Sequence, residues 1–165
     1  MTTRTLVILR HAKAANPEGV IDADRPLTSR GHADAAAAGA WLAHRGYLPD
    51  LVLCSPARRT KETWHGVALA LPTAPTVRYI EDLYSASATG LLELVTTIDA
   101  ETSTALLVGH NPGMEEMLAF LTREARHMPT CALAKISIAG SSWKEAQRGA
   151  GKLEWFVTPK DLEDL

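Results

Sequence analysis

The sequence has only two cysteines, Cys54 and Cys131, and they form no CxxC pair. A disulfide framework is excluded, and cysteine this scarce fits a reducing cytosol. No HxH or HExxH motif and no Cys/His pair at ligand spacing occurs, so no metal and no cofactor are expected. No apolar run approaches the about 20 residues that cross a bilayer. The N-terminus lacks the apolar segment of a secretion signal, because Arg4 and Arg10 bracket only a strand-length stretch. Excess positive charge is missing too. Lys and Arg total 17 against 19 Asp and Glu, a net charge of −2. That balance gives no basic patch for nucleic acid or an anionic membrane, so neither is expected as a partner. There is no internal repeat, low-complexity tract or linker. What remains is the expectation of a cytoplasmic protein whose 165 residues form one domain, residues 1–165, long enough to bury a real core. Its 46% hydrophobic and 22% charged residues are an ordinary globular balance.

The most informative stretch is Leu6-Val7-Ile8-Leu9-Arg10-His11. A short apolar run rich in β-branched residues reads as a strand buried on both faces, as in a parallel sheet. Arg10 and His11 then lie at its carboxyl end, where ligands bind in open α/β sheets. The polar segment Lys13 to Ser29 is too long for a plain connection and is expected to overhang that strand tip. Thr28 or Ser29 can cap an Ala-rich helix that stops at Gly46. Leu51 to Cys54 reads as a second buried strand. Ser55 can cap a following helix with Pro56 in its first turn, running to about Leu71. A third strand is expected over 76–80, a helix over 88–98 capped by Ser87, a fourth strand over 104–108 and a helix from Met114 to about Arg123. This alternation predicts a three-layer α/β/α sandwich with a mainly parallel sheet. Two further strands, 132–139 and 153–158, follow without a helix between them, which suggests an antiparallel edge pair.

Three strands thus deliver polar groups to one sheet edge: Arg10 and His11, Ser55 with Arg59, and His110. Two arginines and two histidines brought together call for an anion. A phosphoryl group fits best, because a guanidinium fork meets two oxygens at once. Fixed donors around the three equatorial oxygens also stabilise phosphoryl transfer. A neutral histidine can attack phosphorus and hold the group as a phosphohistidine, with no metal required.

These residues resemble the histidine phosphatase superfamily, the phosphoglycerate mutase-like fold. Leu9-Arg10-His11-Ala12 is similar to its signature, Ser55-Pro56-Ala57-Arg58-Arg59 followed by Thr63 to its second motif, and Gly109-His110-Asn111-Pro112-Gly113 to its third. The compact length, Arg25-Pro26-Leu27-Thr28 and the closing Trp155 to Lys160 resemble the SixA-type phosphohistidine phosphatase branch. The resemblance implies that His11 is the nucleophile, that Arg10 and Arg59 grip phosphoryl oxygens, and that His110 donates to them as a cation. Arg25 is expected at the pocket rim. Glu81, with Asp82 beside it, is the carboxylate nearest the family's general acid, although the SixA branch does not reliably keep one. Ala12 stands where most members have glycine, which raises the question of a left-handed backbone there.

The expected reaction is metal-independent hydrolysis of a phosphomonoester or phosphoramidate. The favoured substrate is phosphohistidine on a partner protein such as a phosphorelay domain. A broad phosphomonoesterase acting on sugar or nucleoside phosphates is the alternative enzyme, and a non-catalytic phosphate-binding module of the same fold is the alternative outside enzymes. His32, His44, His65 and His127 are expected on the surface, Met114 and Met117 in the core, and the four tryptophans form no stripe.

Overall fold

The computed structural model describes residues 2–163. The apolar start of the chain forms β1 (Thr3–Arg10), longer than expected but centred on the same run. Leu6 and Ile8 pack into one hydrophobic cluster and Val7 and Leu9 into another, so this strand is buried on both faces. Each such aliphatic side chain contributes about 1.5–3 kcal/mol on burial. That makes the interior of β1 a strong constraint on where its polar tip can lie.

The remaining elements are α1 (Ser29–Arg45), β2 (Leu51–Cys54), α2 (Arg58–Ala68), β3 (Thr76–Tyr79), α3 (Ala88–Thr96), β4 (Thr104–Gly109), α4 (Gly113–Thr122), β5 (Leu133–Ala139), β6 (Gly151–Val157) and α5 (Pro159–Glu163). One six-stranded sheet has the order β3-β2-β4-β1-β5-β6. β1, β2, β3 and β4 run parallel, and β5 pairs antiparallel with both β1 and β6. β6 therefore runs in the direction of β1, and β5 alone opposes the sheet. α3 and α4 pack against one face, and α1 and α2 against the other. This is the three-layer α/β/α architecture with its antiparallel edge pair.

Local signals set several boundaries. Thr28 Oγ1 accepts from Gly31 N at 3.0 Å and caps α1, which ends at Gly46 in the left-handed conformation (φ 74°). Ser87 accepts from Gly90 N and caps α3. α1 and α2 approach closely at Gly39, where an added Cβ would lie 2.5 Å from the carbonyl oxygen of Val67. The expected start of α2 at Pro56 is corrected. Ala57 is extended (φ −58°, ψ 144°), the helix begins at Arg58, and no side chain caps it. Ser55 is instead engaged at the sheet edge. Ala12 is fully buried and is not among the non-glycine residues with positive φ, so its Cβ is accommodated without a left-handed backbone. The absence of a tryptophan stripe in sequence hides a tertiary contact: Trp41 and Trp155 meet edge to face at 4.6 Å, with Tyr47 against Trp155 at 5.1 Å. No helix among the described residues is long and apolar enough to cross a membrane.

Candidate active site

Register brings the polar tips level. Arg10 pairs with Gly109 across β1 and β4, and Cys54 pairs with Val108 across β2 and β4. The residue after each strand therefore emerges at one edge: His11, Ser55 and His110. Their backbones are tied to the neighbouring strand, His11 N donating to Gly109 O at 3.1 Å and Ser55 N to Val108 O at 3.1 Å. The rings of His11 and His110 lie 5.4 Å apart between centroids.

α2 adds Arg59. Thr63 is the connection: its hydroxyl accepts from Ala12 N at 2.9 Å and donates to Arg59 O at 2.6 Å. One side chain thus fixes the turn after His11 to the helical turn carrying Arg59. Arg59 is only 7% exposed, whereas Arg58 points to solvent and pairs with Glu62. Arg10 is anchored from behind. Its Nη1 donates to Met128 O at 3.0 Å, and Asn111 Nδ2 donates to the same carbonyl at 3.0 Å. Glu115 accepts from Asn111 Nδ2 and from Met128 N, which steadies that carbonyl. Arg10 Nε and His110 Nδ1 are buried without a hydrogen-bond partner among the described residues.

The segment after β1 crosses the strand tips as a strap. Its neck is closed by Ala15 N donating to Pro26 O at 2.8 Å and Thr28 N to Lys13 O at 2.9 Å. Asp22, at the start of a one-turn 3-10 helix, reaches down from the strap. Arg59 Nη1 donates to Asp22 O at 2.9 Å and Arg59 Nη2 to Asp22 Oδ2 at 3.1 Å. Arg25 Nη1 donates to Asp22 Oδ1 at 3.2 Å, and the Tyr84 hydroxyl donates to Asp22 Oδ2. The Tyr84 ring lies 5.7 Å from that of His110.

The electrostatics follow from this crowding of cations. Burial pushes the His11 imidazole down to about 4; the Ala12 carbonyl opposes this and the charges of Arg59, Arg10 and Arg25 add to it. His11 is therefore neutral near pH 7. Its Nδ1 lies 2.8 Å from Ala12 O, so Nδ1 carries the hydrogen and Nε2 keeps a free lone pair. Burial also pushes His110 down to about 3, helped by His11 and Arg59. His110 is therefore neutral near pH 7 without an anion beside it. Its Nε2 lies 2.8 Å from Ser55 Oγ, and a negative group placed beside it would favour its protonated form. The Tyr84 hydrogen bond, then those of Arg25 and Arg59, hold Asp22 down to about 2, a firmly ionised carboxylate.

Both histidines bind protons less readily folded than unfolded, where the ordinary value is 6.5. The unfolded chain takes up protons first, so stability is full above pH 6.5 and falls as pH drops from there toward 4. A His11→Gln, His110→Gln double variant is expected to flatten this part of the stability curve in urea melts. A parallel curve would show that the two rings are not buried neutral.

Arg10, His11, Arg59, His110 and Arg25 are thus brought to one place. Glu81 is not. It lies exposed in the 3-10 turn Glu81–Leu83 and makes no hydrogen bond or ion pair to these groups among the described residues. The carboxylate that does reach the site, Asp22, and its partner Tyr84 were not singled out by the sequence. His32, His44, His65 and His127 are exposed, and Met114 and Met117 are fully buried, as expected.

Comparison with known proteins agrees in family and fold. A family model of the histidine phosphatase superfamily (branch 1) matches residues 6–84. The uncharacterized protein Rv1276c of Mycobacterium tuberculosis is 34% identical over 165 residues, which cover 92% of this chain and 100% of that protein. A structure from Nakamurella multipartitia, described as a proposed phosphohistidine phosphatase SixA, is 35% identical, with a TM-score of 0.85 over 96% of this chain and 98% of that one. A second, from Agrobacterium tumefaciens and described in the same way, is 31% identical, with a TM-score of 0.83 over 94% and 98%.

Proposed function

Because the chain belongs to the histidine phosphatase superfamily, in its SixA-like part and with the phosphoglycerate mutase-like fold, we propose that it is a phosphatase that works through a phosphohistidine at His11. The observation that carries this reading is the neutral, buried His11 ring set 5.4 Å from His110 among Arg10, Arg59 and Arg25. His11 Nε2 attacks phosphorus in line and the leaving group departs. Water then attacks the phosphorus of the phosphohistidine, the N–P bond breaks with its pair returning to His11, and inorganic phosphate is released. Arg59 and Arg10 hold the equatorial oxygens with charge-assisted hydrogen bonds, doing with guanidinium what a metal does elsewhere. His110 takes up a proton as the dianion arrives and becomes a further donor. The preferred substrate is phosphohistidine on a partner protein, for which the SixA-like neighbours are the support. Imidazole leaves phosphorus more easily than an alkoxide, so this substrate asks least of the acid.

Turnover of p-nitrophenyl phosphate and of a phosphohistidine-bearing protein, both in EDTA, tests the proposal. Turnover of both is expected, with kcat/KM higher on the phosphohistidine protein. Phosphate binding without turnover of either overturns the enzyme reading. Faster turnover of sugar or nucleoside phosphates overturns the protein-substrate reading.

A further inference from the structure

We propose that Asp22 is the catalytic carboxyl group that hands a proton to the leaving atom, with Tyr84 positioning it; this rests on the phosphatase reading above. Asp22 stands over the same guanidinium that would hold the phosphoryl group. Arg59 gives one Nη to its backbone oxygen and the other to its carboxylate, at 2.9 and 3.1 Å. A phosphoryl group gripped by that fork lies next to Asp22. No other carboxylate bonds to Arg59 among the described residues, and the Asp22 charge acts on His110 against the lowering by burial. The side chain is 53% exposed, so it borders both the pocket and the solvent that supplies protons and water.

The groups facing Asp22 are Arg59, Arg25, Tyr84 and His110. The Tyr84 hydrogen bond, with those of Arg25 and Arg59, keeps it ionised in the free protein. When a phosphoryl dianion takes the fork of Arg59, the cation that stabilised the carboxylate is shared and two negative charges arrive. Both changes favour the protonated carboxyl. Tyr84 keeps its hydrogen bond and holds the group in place.

The chemistry then balances. The His11 Nε2 lone pair forms the bond to phosphorus, and the bond from phosphorus to the leaving oxygen or nitrogen breaks with its pair on the leaving atom. That atom takes the Asp22 proton and departs neutral. In the second step water bonds to phosphorus and gives a proton to the Asp22 carboxylate, while the pair of the N–P bond returns to His11. Asp22 thus recovers the proton it took from solvent when the substrate bound, and returns it to solvent as phosphate leaves.

The test is the dependence of kcat/KM on leaving-group acidity, measured with aryl and alkyl phosphates in wild type and Asp22→Asn. General acid help is worth about 10²–10⁴-fold, and more for poor leaving groups. The expected result is a steeper dependence in D22N, with alkyl phosphates losing about 10²-fold more than p-nitrophenyl phosphate. The fall of wild-type kcat at high pH should also disappear in the variant. Tyr84→Phe is expected to steepen the dependence less. An equal loss on every ester, with the pH profile unmoved, overturns the assignment and leaves Asp22 only as a tether for Arg59. A steeper dependence in Glu81→Gln and not in D22N also overturns it. Acid-labile phosphate on His11 separates the two levels. Label with an unchanged dependence removes Asp22 alone, whereas no label and no turnover removes the phosphatase reading and Asp22 with it.

Discussion

His11→Ala is expected to lower kcat on p-nitrophenyl phosphate by about 10⁴–10⁶-fold, the range seen when an enzyme loses its nucleophile and keeps its binding groups. The substitution removes the one lone pair directed at phosphorus. Arg10, Arg59 and His110 remain, so inorganic phosphate should still bind. Acid-labile label, present on wild type after a rapid quench, should be absent from the variant. Folding is a separate question, because His11 is only 9% exposed. Its backbone bonds to Gly109 and Cys131 do not need the ring, and the melting temperature checks that the sheet edge survives. Retained turnover within tenfold of wild type, in a folded variant, would remove the covalent mechanism.

The second large effect is expected at Arg59. Arg59→Ala should lower kcat/KM by about 10³–10⁵-fold, the scale on which a single arginine stabilises phosphoryl transfer. Arg59→Lys should recover only part of this, because an ammonium restores the charge and loses the fork. Arg58→Ala is the control. That side chain is solvent-facing and paired with Glu62, a surface contact of small energetic weight. Its kcat/KM should match wild type. If the two alanine variants behave alike, the assignment of the phosphate grip to Arg59 fails.

The difference between these neighbouring arginines was legible in the sequence. Arg59 lies four residues before Thr63, and one helical face carries both. Arg10, His11 and His110 were legible for a related reason. Each follows directly on a buried apolar run, and a strand fixes where its next residue goes. Glu81 also follows a strand but misses the pocket, because β3 is a largely exposed outermost strand and β2 and β4 separate it from β1. Strands are about 4.8 Å apart, so the tip of β3 lies well to one side. Tyr84, three residues further, is carried back by the 3-10 turn to within 5.7 Å of His110. Asp22 had no periodic signal at all. It sits in a polar strap, and its partner Arg59 is 37 residues away. The protonation of His110 was also out of reach, because it depends on burial and neighbouring cations that only the assembled edge supplies.

The level register of β1 and β4 makes alignment of the backbone a part of the chemistry. Sliding β4 by one residue past β1 would shift His110 by about 3.3 Å and turn its side chain to the opposite face of the sheet. The pair of imidazoles is therefore held by the hydrogen-bond ladder beneath it. A change deep among the aliphatic residues of either strand could silence the enzyme without touching any polar group, and would be read as loss of rate before loss of fold.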